Sequence, residues 1–228
     1  MKLMVVDTAL GLCTVGVFEV DERGTRPLGL RSEPMVKGHS ERIAGFARDA
    51  AKQAGLAFTE LDRIGVTVGP GSFTGLRVGL AFAQGLAAAL DRPVVGVSAL
   101  DALAASAGEA RAAAALIDAR RGQVYARFWR DGEADGPAEA LTLEAAAARV
   151  GAMGEGAVLI GSGAALFDEV SAGMTILSLD GPAPEALAKL AAAADPAAAP
   201  ARPLYLRAPD ATPPTRLPGQ ARGPARAP

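Results

Sequence analysis

The stretch Val66-Thr-Val-Gly-Pro-Gly-Ser-Phe-Thr-Gly-Leu-Arg-Val-Gly79 constrains the fold more than any other part of the chain. Residues 64–68 form a short apolar run, Gly69-Pro-Gly71 forces a turn, and Ser72 stands where a helix N-cap belongs. In the helical pattern that follows, 73–90, Gly75, Gly79, Ala83 and Ala87 recur at every fourth position as a flat ridge. Leu76, Leu80, Phe82, Leu86 and Leu90 make most of the remaining circumference apolar. A buried strand entering an apolar helix through a tight turn is the repeating unit of an α/β protein. Each glycine inside a helix costs about 0.5–1 kcal/mol against alanine, so the ridge needs a closely packed neighbour to offset it.

The turn itself has two readings. Backbone N–H groups and the helix dipole could receive an anion there. No Lys-Ser/Thr pair follows, however, and glycines at 69, 71 and 75 miss the dinucleotide spacing by one residue. A tight turn into a closely packed helix is the plainer account.

Around this unit the pattern repeats. Residues 2–6 and 13–20 read as strands joined by a glycine turn at 8–11, and 26–31 can add a third. Residues 41–54 place Ile43, Phe46, Ala47 and Ala50 on one helical stripe, with Ser40 as the expected cap. Residues 94–97 return to the sheet. After a helical segment at 101–107, 112–117 and 123–129 read as a second pair of strands around Arg120-Arg121-Gly122. Helices at 141–150, 164–170 and 184–194 then enclose strands at 157–160 and 174–177. Two successive α/β halves follow, 1–107 and 108–195, divided near Gly108, with 184–194 able to cross back onto the first. Residues 196–228 hold nine prolines and five arginines against one aspartate and form a basic tail. Within it Pro203-Leu-Tyr-Leu-Arg207 is the part expected to dock.

With 228 residues the chain can bury a real core, but its 52 alanines against 4% aromatic residues make that core one of small side chains. A net charge of −2 is not the footprint of a protein that holds nucleic acid unaided. One cysteine, Cys13, and one histidine, His39, cannot make an internal disulfide or a structural zinc site, and a reducing cytoplasm is expected. The longest uncharged runs, 64–76 and 78–90, are 13 residues each and are split by Arg77, short of the roughly 20 that span a bilayer. Asp7 interrupts the first apolar run, against a signal peptide.

Asp7 and Asp118 stand at corresponding strand ends of the two halves, each before a glycine turn. With Thr8 and Gly11 they could hold a hydrated metal or nucleotide phosphates between two lobes, or each aspartate could cap its own turn. His39 is read as a loop residue, and without a second histidine no serine is activated by a triad around another base.

Several motifs add a resemblance: Met4-Val-Val-Asp-Thr8, Gly38-His-Ser-Glu41, the long glycine stretch, Gly96-Val-Ser-Ala-Leu100, Ile117-Asp-Ala-Arg-Arg-Gly-Gln-Val-Tyr125 and Tyr205-Leu-Arg-Ala-Pro-Asp-Ala211. Together they resemble the TsaB (YeaZ-like) family of bacterial threonylcarbamoyladenosine biosynthesis proteins, relatives of the synthase TsaD and of the M22-like glycoproteases. The resemblance implies an actin-like ATPase fold of two ribonuclease-H-like lobes. It also implies a role in adding threonylcarbamoyl to the adenosine beside the anticodon of tRNAs that read codons beginning with A. The synthase's two metal-binding histidines fall on Ala99 and Leu103 here, neither of which binds a metal. A non-catalytic scaffold without cofactor or metal is therefore expected, pairing with TsaD, with the ATPase TsaE joining, and contacting tRNA only through the complex. Weak nucleotide binding is left open. The expected partner face is a four-helix interface built on Ile43, Phe46, Ala47, Ala50, Gly75, Gly79, Ala83 and Ala87, which could also make a homodimer when the chain is alone. The competing reading is an actin-fold ATPase or small-molecule kinase in which Asp7 and Asp118 place magnesium.

Overall fold

A computed structural model describes residues 1–108 and 110–207. The first half is a five-stranded sheet of β1 (Lys2–Asp7), β2 (Leu12–Asp21), β3 (Gly24–Pro34), β4 (Arg63–Gly69) and β5 (Val94–Ser98), in the order β3-β2-β1-β4-β5. β1, β2 and β3 are antiparallel, while β4 and β5 add parallel to β1. The second half repeats the plan. An antiparallel hairpin of β6 (Ala112–Arg120) and β7 (Gln123–Arg130) is extended on one side by parallel β10 (Val158–Ile160) and β11 (Thr175–Leu177). On the other side lie β8 (Glu133–Ala134) and β9 (Glu139–Thr142), both paired with β7. A hairpin followed by parallel crossovers, built twice, is the ribonuclease-H-like lobe pair of the actin-like fold.

β1 is central because it has no polar residue between Leu3 and Val6, all fully buried. Its side chains alternate. Met4 and Val6 face a cluster with Val15, Val17 and the helices α1 (His39–Ala54) and α2 (Phe73–Leu90), whereas Leu3 and Val5 face Phe18 and α5 (Pro184–Ala193). α5 therefore does cross back, burying Leu187, Ala188 and Ala191 on the first sheet. β3, with Pro27 and Pro34, occupies the edge, where a missing N–H does no harm. Leu76, α3 (Ala99–Ser106), Ala115, Ile117 and Ile160 form a further cluster joining the two sheets.

Four local expectations need correction. α1 begins at His39 after Gly38, whose φ of 87° sets the entry, so Ser40 lies inside the first turn and does not cap it. The residues read as a helix from 141 are first β9, because Leu141 pairs with Val124. Only then comes α4 (Leu143–Gly151), capped by the Thr142 hydroxyl, which accepts from the Ala145 N–H at 3.2 Å. Residues 164–170 are 3-10 turns, with Phe167 at a non-helical φ of −117°. His39 is no loop residue, being 6% exposed at the start of α1.

α2 is, by length and composition, apolar enough to cross a membrane. In the fold its small-residue ridge lies on the sheet, and its charged residue, Arg77, lies outside. From Asp195 the chain runs back over the first sheet as a strap. The Gly96 N–H donates to Ala199 O at 2.9 Å, Gln84 Nε2 to Ala201 O at 2.7 Å, and the Leu204 N–H to Val68 O at 2.7 Å. The segment expected to dock, Pro203 to Arg207, is thus held at Leu204, while residues 208–228 of the basic tail lie outside the described residues.

Candidate functional site

Two places could carry function: the loop ends where nucleotide contacts were expected, and the outer face of α1 and α2. At the first, several donors of the β1–β2 loop are already committed. Asp7 Oδ1 accepts from Thr67 Oγ1 at 2.7 Å and from the Ala9 N–H at 2.9 Å. Thr8 Oγ1 donates to Gly75 O at 2.8 Å, and the Gly11 N–H donates to Asp180 O at 2.8 Å. Asp118 belongs to the other sheet, where its carboxylate accepts from the Arg120 N–H at 2.8 Å and pairs with the Arg120 guanidinium at 3.1 Å. Both aspartates thus serve their own turns, and no three His, Cys, Asp or Glu side chains among the described residues are grouped to hold a metal.

Asp7 is 1% exposed, and its Oδ2 has no hydrogen-bond partner among the described residues. Burial raises its pKa above the ordinary carboxylate value, against the opposing pull of Thr67, Ala9 and His39. A raised folded-state pKa means that the native state binds the proton more tightly. Asp7 therefore adds stability below the ordinary carboxylate range and loses that contribution as pH rises through the folded value. Asp7→Asn is expected to raise the melting midpoint at pH 7, with the gain over the natural chain shrinking towards pH 4. A lower midpoint for the variant at pH 7 would contradict this.

The positions equivalent to the synthase's metal ligands are filled by core. Ala99 and Leu103 on α3 are fully buried beside Leu76, Ala115, Ile117 and Ile160. The cap of α3, Ser98, has its hydroxyl engaged by the Asp101 N–H at 3.3 Å.

The expected partner residues are also inside. Ile43, Phe46, Ala47 and Ala50 are between 0% and 4% exposed in the cluster that covers β1 and β2, and Ala83 and Ala87 lie in the same cluster. Gly75 and Gly79 lie against Thr8. A Cβ on Gly75 would come within 2.1 Å of Thr8 O, and one on Gly79 within 2.3 Å of Thr8 Oγ1. The close neighbour that the ridge required is the end of β1, not a second subunit.

Leu76 and Leu80 are buried with the ridge, and Phe73, Val78 and Phe82 lie towards the outer side of α2. Phe73 is 52% exposed, and with Ala44, Arg77, Val78, Ala81 and Phe82 it lines an open, largely apolar groove of about 520 Å³ between α1 and α2. The sequence expectation set the Ile43 stripe and the small-residue ridge on an outer face of the two helices, and the structure turns them inward. The signal that could have decided it is residue size: a helix side meant for a strand backbone must be the small one. Tyr205, expected to dock but not read as a site residue, is brought by the strap to the groove rim, its ring centre 5.6 Å from that of Phe73.

The model of the TsaD family, tRNA N6-adenosine threonylcarbamoyltransferase, matches residues 24–156, more than half of the chain. The Escherichia coli K12 tRNA threonylcarbamoyladenosine biosynthesis protein TsaB is 36% identical over 135 residues, 58% of this chain and 56% of that protein. An uncharacterised protein of Mycobacterium tuberculosis H37Rv is 35% identical over 92% of this chain and 94% of its own length. A crystal structure from Pseudomonas aeruginosa, of an uncharacterised protein similar to peptidase YeaZ, superposes with a TM-score of 0.74 at 31% identity, covering 90% of this chain and 99% of that one. The paired lobes, the glycine stretch between β4 and α2, and these matches agree: the chain belongs to the TsaD-related family, in its TsaB/YeaZ group.

Proposed function

We propose that the chain acts in tRNA threonylcarbamoyladenosine biosynthesis as a non-catalytic subunit that docks a TsaD-type synthase on its α1–α2 groove. The observation that carries this reading is the division of labour on α2. Its small ridge is consumed by the protein's own sheet, while Phe73, Val78 and Phe82 are left lining an open apolar groove. Buried Ala99 and Leu103, together with the committed donors around Thr8 and Gly11, support a scaffold over the ATPase or kinase reading. The synthase would supply the metal and the transfer chemistry, on the adenosine beside the anticodon of tRNAs reading codons that begin with A. A TsaE-type ATPase would join that complex, and tRNA would be met through it, in the cytoplasm. In the absence of the synthase the same groove would pair two copies.

Light scattering on a mixture of the purified chain and synthase is expected to show a one-to-one complex. Ala44→Glu puts a charge at an exposed position in the groove and should weaken that complex by about 30-fold or more, with the monomer's melting midpoint preserved. The chain alone should hydrolyse no ATP and hold no stoichiometric iron or zinc. An unchanged affinity for Ala44→Glu, or turnover by the isolated chain, would overturn the reading.

A further inference from the structure

At the rim of the groove three side chains from two distant parts of the sequence form one stack. The Arg77 guanidinium lies over Phe73, 3.7 Å from the ring centre, and Arg77 Nε donates to Tyr205 Oη at 3.3 Å. Tyr205 itself leans on Phe73 with the rings tilted by 32°. None of the three is core, Phe73 being 52% and Tyr205 44% exposed. Holding a long side chain still on an open surface loses rotamer entropy, and this stack does so for a guanidinium with no carboxylate in ion-pair range among the described residues.

The strap makes the arrangement rigid. On one side of Tyr205 the Leu204 N–H is bonded to Val68 O on β4. On the other, Arg207 Nη1 reaches Ala119 O on β6 at 3.1 Å. Tyr205 is therefore held between a contact to β4 and a contact to β6.

We propose that Tyr205 is a positioning residue of the docking surface, holding the Arg77 fork over Phe73 so that its remaining N–H groups receive a carboxylate of the partner beside the apolar groove. The proposal rests on the reading of that groove as the synthase's seat and adds the partner's chemistry: an apolar helix face flanked by an acidic side chain. A planar, pre-oriented guanidinium suits a bidentate carboxylate, and a position next to an apolar groove partly shields the pair from water. The chain's net charge of −2 argues for a protein carboxylate over a nucleic-acid phosphate as the acceptor.

Calorimetric titration of the full chain with synthase, at low and at moderate salt, tests this. Tyr205→Ala and Arg77→Lys should each weaken binding about 10-fold and flatten its salt dependence, whereas Tyr205→Phe, which keeps the ring, should recover part of the loss. Melting midpoints should stay within a degree or two of the natural chain, since the stack is exposed. Ala44→Glu separates the two levels of the argument. If it breaks the complex while Tyr205→Ala and Arg77→Lys bind normally, the positioning role is overturned and the groove stands. If none of the three changes affinity, both fall. If Tyr205→Ala leaves synthase binding intact but removes retention of the isolated chain on tRNA, the acceptor is a phosphate and the proposal is wrong.

Discussion

Phe46→Asp is expected to abolish cooperative folding of the isolated chain. Phe46 is 4% exposed on α1, in the same buried cluster as Val15, Val17, Ile43 and Leu80. Truncating a buried phenylalanine costs about 3–5 kcal/mol before any charge is considered. The new carboxylate would lie among apolar side chains. Arg42, whose guanidinium sits 5.1 Å from the ring centre, is already paired with Glu33 at 2.8 Å. Unpaired burial adds several kcal/mol more, and the sum is comparable with the whole stability of about 5–15 kcal/mol of an ordinary domain. A circular-dichroism melt should show no cooperative transition, or one lowered by more than about 15 °C. A natural melting curve combined with lost synthase binding would return Phe46 to the interface and contradict its placement in the core.

The second large effect concerns Gly79 and Thr8. Gly79→Ala raises helix propensity by about 0.8–1 kcal/mol, yet it should destabilise. The added methyl would sit 2.3 Å from Thr8 Oγ1, which is held in place by donating to Gly75 O. Either α2 moves off β1 or that buried hydrogen bond breaks, at about 1–3 kcal/mol. Thr8→Ala removes the obstructing atom, since the next contacts of the new Cβ lie at 3.6 and 3.7 Å. The double variant should therefore be more stable than the sum of the singles by at least about 1 kcal/mol in urea unfolding. Additive effects would mean that the ridge does not meet β1 there.

These two sites also show how much of the fold could be read from the sequence. The strand–turn–helix unit at 63–90 was legible because periodicity, Gly69 at a φ of 110° and the Ser72 cap act within a few residues of one another. The doubled hairpin plan was legible because Asp7 and Asp118 end apolar runs of similar length before glycine turns. Facing was not. An all-round apolar helix has no polar side to mark the exterior, so the inward turn of Gly75 and Gly79 follows from where Thr8 lies, a contact across 67 residues for Gly75. β9 was hidden because its residues pair with β7 through backbone bonds that a helical pattern cannot reveal. Tyr205 joined the candidate site only once the strap was seen to return to α2.

The central claim, that this chain supports transfer without performing it, is tested most directly by reconstituting threonylcarbamoyl transfer to tRNA with purified synthase and quantifying modified adenosine by mass spectrometry. The account predicts no product from the chain without synthase, strong stimulation when it is added to the synthase, and loss of that stimulation with Ala44→Glu although the variant melts normally. Product formed by this chain alone, or full stimulation by Ala44→Glu, would contradict it.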